Sequence, residues 1–282
     1  MTDYSYTVNE PILEVRNVCV AYAQPVLRDL NFSINNIVRP GMTQGQVVAL
    51  LAPSGMGKSQ AFRCMAGLQK PNAGEVVLGE EATGVPSATG AIPVAAGMVG
   101  VVAQSYPLLK HRTVYQNLFR AARLKYPADQ AKDIVLGLLE RFGMADKVDL
   151  YPAQLSGGQQ QRTAILQSMV CSGHLLLMDE PFSGLDINLK AEVQNMIMSL
   201  AASHELNTIV LTTHDIGAAI AVSDTILLLG RERDAEGKII PGANIRKTFD
   251  LAARGLAWRP NIETLPDFHE LELEIRADFR TL

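Results

Sequence analysis

Cysteine is scarce in this chain, and the three present are Cys19, Cys64 and Cys171. They are scattered and match no metal-ligand spacing, so they read as small buried hydrophobes in a reducing cytosol. No apolar run approaches the ~20 residues that a membrane-spanning helix needs. Residues 1–10 are polar and do not read as a secretory signal. The chain is therefore expected to be soluble, and spanning helices would have to come from another subunit. No basic block or stripe appears and the net charge is −4, which argues against nucleic acid as a partner. No internal repeat is visible.

What is present suits a packed protein. Hydrophobic residues make up 48% and charged residues 19%, the balance of a globular chain and not a disordered one. A length of 282 residues allows one large domain or two small ones.

The pattern along the chain alternates strands with helices. Strands are expected over residues 12–20, 30–34, 46–51, 75–78, 98–103, 174–178, 208–213 and 225–229. Helices are expected over 58–66, from the stretch at 155–162 to about 170, over 187–203, and between the last two strands. Residues 113–142 read as two or more helices, broken at Pro127, forming a separate lobe at about 105–172. The Gly-, Ala- and Pro-rich stretch 82–97 reads as a loop. This order implies an α/β fold with a mostly parallel sheet. Residues 231–282 look like a short C-terminal extension, with a terminal helix within 262–279.

Three stretches carry chemistry. The first is Ser54-Gly55-Met56-Gly57-Lys58-Ser59, followed by Gln60, directly after an apolar strand. Glycines let consecutive backbone N–H groups face one concavity, and the following helix adds its positive end, which suits an anion. Lys58 supplies a point charge for phosphates, and the Ser59 hydroxyl can ligate Mg²⁺. The second is Asp179-Glu180 at the end of the apolar run from Leu175. Asp179 can hold Mg²⁺ and Glu180 can act as general base, although a solvated acidic turn has the same look. The third is Leu155-Ser156-Gly157-Gly158-Gln159-Gln160-Gln161-Arg162. Its Ser-x-x-Gln spacing has the form of a capping box, yet Gly157 and Gly158 are poor helix formers that leave bare amides at a helix start.

Together these stretches, in this order, resemble the phosphate loop, acid pair and signature of the ATP-binding cassette (ABC) family, the ATPases that power transporters. The resemblance covers roughly residues 12–230, and residues 1–230 would form the nucleotide-binding domain. It implies a P-loop NTPase core, an N-terminal antiparallel β subdomain and an inserted helical subdomain. It implies ATP and Mg²⁺ as cofactors. Glu180 would be the catalytic carboxylate. Gln104 would contact Mg²⁺ or the attacking water, and His214 would hold the γ-phosphate, though a lone His is more often structural. Tyr22 would stack on adenine. Ser183-Gly184-Leu185-Asp186 resembles the family's dimer-interface stretch; Asp186 also suits a helix N-cap. In the family two chains pair head to tail, so Ser156, Gly157, Gly158 and Gln159 would close on a nucleotide held by the other chain.

The partners implied are a second copy or a paralogue, transmembrane permease subunits and a solute-binding protein, with no nucleic acid. The place implied is the cytoplasmic face of the plasma membrane. Tyr106 to Val114 resembles the segment of bacterial importers that faces the membrane partner. Leu265-Pro266-Asp267-Phe268-His269-Glu270 is loosely similar to the nitrate, sulfonate and taurine importers. The family pattern has glycine where this chain has Ala52, often Glu at Gln46 and commonly Arg at Gln167. A left-handed backbone at Ala52 would cost energy. Two other readings stay open at this level: a non-transport ATPase, and an ATP-binding regulatory module with little hydrolysis.

Overall fold

The computed structural model describes residues 6–39, 44–80, 90–171 and 173–282. Ten strands form one curled sheet in the order β5-β4-β1-β2-β10-β9-β3-β8-β7-β6. They are β1 (Thr7–Ala21), β2 (Pro25–Val38), β3 (Gln46–Leu51), β4 (Ala73–Gly79), β5 (Ala91–Pro93), β6 (Gly100–Val102), β7 (Leu175–Asp179), β8 (Thr208–Thr213), β9 (Thr225–Arg233) and β10 (Ile239–Asp250). The helices are α1 (Lys58–Met65), α2 (Val114–Ala122), α3 (Ala128–Arg141), α4 (Gly157–Cys171), α5 (Ile187–Ala201), α6 (Ile216–Val222) and α7 (Pro266–Phe279). Among the described residues, no helix is long and apolar enough to cross a membrane.

The β9-β3-β8-β7-β6 half of the sheet is parallel throughout, and the β5-β4-β1-β2 half is antiparallel. The parallel strands are buried on both faces, which is why they read as continuous apolar runs. Alternate residues feed two different cores. Val47, Ala49 and Leu51 of β3 pack with helices α2 to α7. Val48, Leu50 and Ala52 pack with α1 and the antiparallel strands. The period-2 geometry of a strand thus joins two hydrophobic layers through one element.

Several boundaries differ from the sequence reading. β1 and β2 run well beyond 12–20 and 30–34, because pairing continues through polar positions. β6 is shorter than 98–103. Of the loop expected at 82–97, residues 81–89 lie outside those described, and 91–93 form β5, paired with β4. The expected lobe is split at Pro127 as read, into α2 and α3. Residues 231–282 reach deep into the fold. Strand β10 pairs antiparallel with β9 and meets β2 at Ala243 and Leu27, so it stitches the two halves of the sheet. Phe268, Leu271 and Ile275 of α7 are buried in the larger core.

Candidate functional site

Strand β3 delivers the chain to the glycine loop at the centre of the sheet. Gly55 and Gly57 have φ of +82° and +90°. Gly57 must also lack a side chain, since a Cβ there would lie 3.0 Å from both Leu27 and Val26. It forms the left-handed start of α1, so Lys58 opens that helix. Ala52 is fully buried. It is not among the described non-glycine residues with positive φ, so alanine brings no left-handed strain there.

The Lys58 ammonium is buried and needs compensation. It donates to the Ala52 carbonyl at 2.8 Å and the Pro53 carbonyl at 3.2 Å, and lies 3.2 Å from Glu180 Oε1. These three acceptors occupy its three protons.

Glu180 follows β7 with φ +49°, in the left-handed region. For a residue with a Cβ this costs about 1–2 kcal/mol. Neighbouring β8 holds it there. The Glu180 N–H reaches the Thr212 carbonyl at 3.0 Å and its Oγ1 at 3.2 Å. The Thr212 hydroxyl in turn donates to Asp179 Oδ1 at 2.6 Å. His214, just past the end of β8, places Nδ1 2.9 Å from Glu180 Oε2. Thr212 thus orients both acids. The sequence reading missed it; the available signal was hydroxyls in an otherwise apolar buried strand.

A cleft of about 470 Å³ is lined by Val26, Ser54, Gly55, Gly57, Lys58, Ser59, Gln60, Gln104, Glu180, Ser183 and His214. Of the residues expected from sequence, it gathers those from the glycine loop, the glutamine, the glutamate and the histidine. Gln104 Nε2 reaches Ser183 Oγ at 3.4 Å across it. Val26 and Ser183 were not expected as cleft walls. Met56 does not line the cleft and packs on the smaller core. Asp179 is not among the lining residues. Tyr22 is 67% exposed and outside the lining, but its hydroxyl lies 2.9 Å from Gln60 Oε1. No group of three or more His, Cys, Asp or Glu suited to a metal is present among the described residues. The hydroxyl of Ser59 and the amide of Gln104 are hard oxygen donors in one cleft. They fit a magnesium ion that brings most of its ligands with it, as phosphate oxygens and water.

Ser156, Gly157, Gly158 and Gln159 lie away from this cleft. The capping box is formed: Gln159 N–H to Ser156 Oγ at 3.3 Å, and Ser156 N–H to Gln159 Oε1 at 3.0 Å. Gly157 is exposed with open space where a Cβ would go. The helix that follows is tied to the acid pair, because buried Gln161 donates to the Pro181 carbonyl at 2.7 Å. Asp186 caps α5 through the Asn188 and Leu189 amides, both at 2.9 Å. Asn117 bonds the carbonyls of Leu109, Arg112 and Thr113, which pins the segment after Gln104.

Asp215, next to His214, caps α6 by accepting from the Ala218 N–H at 2.9 Å and pairs with Lys190. Burial pushes its carboxyl up, but the Ala218 amide and Lys190 outweigh that, and the net shift is below the usual 3.8. A carboxyl depressed by folding adds stability above its unfolded pKa and loses it as pH falls through the folded value. Asp215→Asn keeps the cap and removes the charge. It is expected to cost up to about 1 kcal/mol at neutral pH. The deficit should vanish as pH drops below 3.8 in thermal melts. Identical melting curves at neutral pH would mean that the charge is idle.

The ABC transporter family matches residues 36–183. The spermidine/putrescine import ATP-binding protein PotA of Haemophilus influenzae is 35% identical over 245 residues, covering 86% of this chain and 60% of that protein. This chain therefore spans about 60% of the length of that relative. The glutamine transport ATP-binding protein GlnQ of Bacillus subtilis is 37% identical, covering 77% of this chain and 84% of that protein. Among solved structures, cbiO1 of Clostridium perfringens, part of the ABC transporter complex cbiONQ, superposes with a TM-score of 0.64 at 26% identity. The match covers 83% of this chain and 89% of that one.

Proposed function

Since this chain belongs to the ABC transporter family, we propose that it is an ATP-binding and ATP-hydrolysing subunit that energises solute import across a membrane. One observation carries the reading. A left-handed glycine loop with its lysine shares a single cleft with a strained glutamate and a histidine that touch each other. Such a cleft suits phosphoryl transfer, where positioning and electrostatics do most of the work.

In this reading Ser54 to Gln60 and Lys58 cradle the phosphates. Glu180 takes the proton from the attacking water, and His214 holds both that carboxylate and the terminal phosphoryl group. Ser59, Gln104 and Asp179 would hold Mg²⁺, which when bound would neutralise phosphate charge. Tyr22 swings from Gln60 onto the adenine. The partners are permease subunits that supply the spanning helices, together with a solute-binding protein. The chain then works at the cytoplasmic face of the plasma membrane. The segment at 265–270, similar to nitrate, sulfonate and taurine importers, forms the start of α7.

The reading also needs a second copy or a paralogue. Ser156, Gly157, Gly158 and Gln159 sit outside the cleft of their own chain. We assign them to a nucleotide held by the other chain, with Asp186 and its neighbours at the junction. Gly157→Val tests this. A Cβ at this position meets nothing within 4 Å in the single chain and the residue is exposed, so folding and nucleotide binding should persist. Hydrolysis should fall to near background, because the side chain blocks a close approach by phosphate. A variant with normal phosphate release would sink the two-chain site.

A further inference from the structure

We propose that Gln161, one turn into α4, is a positioning residue for the chemistry of the cleft, and that it sets where the Glu180 carboxylate stands. The proposal rests on the reading of Glu180 as the base that activates water.

Gln161 is fully buried and does not line the cleft, so it acts on the chemistry only through another residue. Its amide is half used. Nε2 donates to the Pro181 carbonyl at 2.7 Å, while Oε1 is buried with no hydrogen-bond partner. A buried acceptor left unmatched costs stability, and an apolar side chain of the same volume would fill the space without that cost. The amide is therefore there for the one bond that it makes.

That bond falls on the residue after a strained one. Glu180 has φ +49°, and a residue before proline favours extended backbone, so its conformation goes against two preferences. Such a backbone persists only when its surroundings over-determine it. On one side the Glu180 N–H is held by the Thr212 carbonyl and hydroxyl of β8, at 3.0 and 3.2 Å. On the other side Pro181 has no N–H, so its carbonyl is the one backbone group by which it can be gripped. The Ser183 N–H that reaches the Glu180 carbonyl at 3.1 Å belongs to the same turn and cannot place that turn against the rest of the fold. Gln161 does so, from a second element.

The anchor is itself braced. A Cβ on Gly158 would lie 2.9 Å from the Leu189 side chain, and Arg162, next to Gln161, pairs with Glu192, so α4 docks closely on α5. Because α4 opens with Gly157 and Gly158, the same contact fixes Glu180 relative to the signature turn.

The test is a double-mutant cycle on the whole chain. Gln161→Met keeps the volume and removes the donor. ATP should bind the folded variant with the parent's Kd in calorimetry, because no cleft residue has changed. Phosphate release per bound ATP should fall by about tenfold or more, since a misplacement of ~1 Å costs up to about 10²-fold. In a Glu180→Gln background the same substitution should change turnover little, because its target is already gone. A loss of structure alone would lower turnover by the same factor in both backgrounds. If Gln161→Met does not fold, Gln161→Asn takes its place, polar but too short to reach the Pro181 carbonyl. The proposal is overturned if the folded variant keeps the parent's turnover, if only its ATP affinity falls, or if the loss is equal in both backgrounds. A parent without turnover would instead sink the ATPase reading, and this proposal with it.

Discussion

Glu180→Gln is expected to lower ATP turnover by about 10²–10⁴-fold, the range for removing a general base. The amide keeps the side chain's size and can still meet His214 Nδ1, now 2.9 Å from the carboxylate. It cannot take a proton from water. The backbone strain at φ +49° is unchanged, so the fold should hold. ATP affinity should stay the same or rise. Lys58 loses an anionic neighbour at 3.2 Å that competes with phosphate for the same ammonium. That neighbour holds the lysine in place, and an arriving nucleotide must take it over. Phosphate release at saturating ATP is the measurement. Turnover near that of the parent would mean that another group accepts the proton, and the assignment of Glu180 would be lost.

Lys58→Ala should act on binding itself. The lysine makes three charged or polar contacts at 2.8–3.2 Å, all of which a nucleotide must compete with or join. Losing a charge-assisted hydrogen bond to phosphate costs about 1.5–3 kcal/mol, or roughly ten- to a hundredfold in Kd. The variant also leaves Glu180 without its cation, so a thermal melt must accompany the titration. Calorimetry with ATP in a folded variant decides. An unchanged Kd would show that the glycine loop does not cradle phosphate through this residue. The two variants therefore separate the roles: one spares binding and loses chemistry, the other loses binding first.

How far these roles were legible beforehand depended on the kind of signal. Glycines at 55 and 57, a lysine and a serine in a row, and an apolar strand before them are local patterns. Left-handed φ and the start of a helix follow from them directly. The capping box at Ser156 and the cap at Asp186 are equally local, and both formed. Alanine at position 52 would be costly only with a left-handed backbone, an angle the sequence could not give; tolerance is the expectation, and φ there is not positive.

Non-local features could not be read this way. Thr212 orients both acids only because β8 lies beside β7 in register, with Asp179 opposite Thr212. Strand β10 came from a charged, Pro- and Gly-interrupted stretch that carried no strand pattern. It is a strand because β9 and β2 offer it unpaired edges. The Lys58–Glu180 contact joins residues far apart in the chain.

The sequence by itself determined the family, the order of buried strands and the residue types of the cleft, because each rests on short-range spacing and turn chemistry. Only the tertiary structure decided which of those residues meet, that Gly157 and Gly158 stay outside the lining of their own chain's cleft, and that Thr212 ties the two acids together. Those outcomes depend on strand pairing and on the packing of distant side chains, which no local pattern encodes.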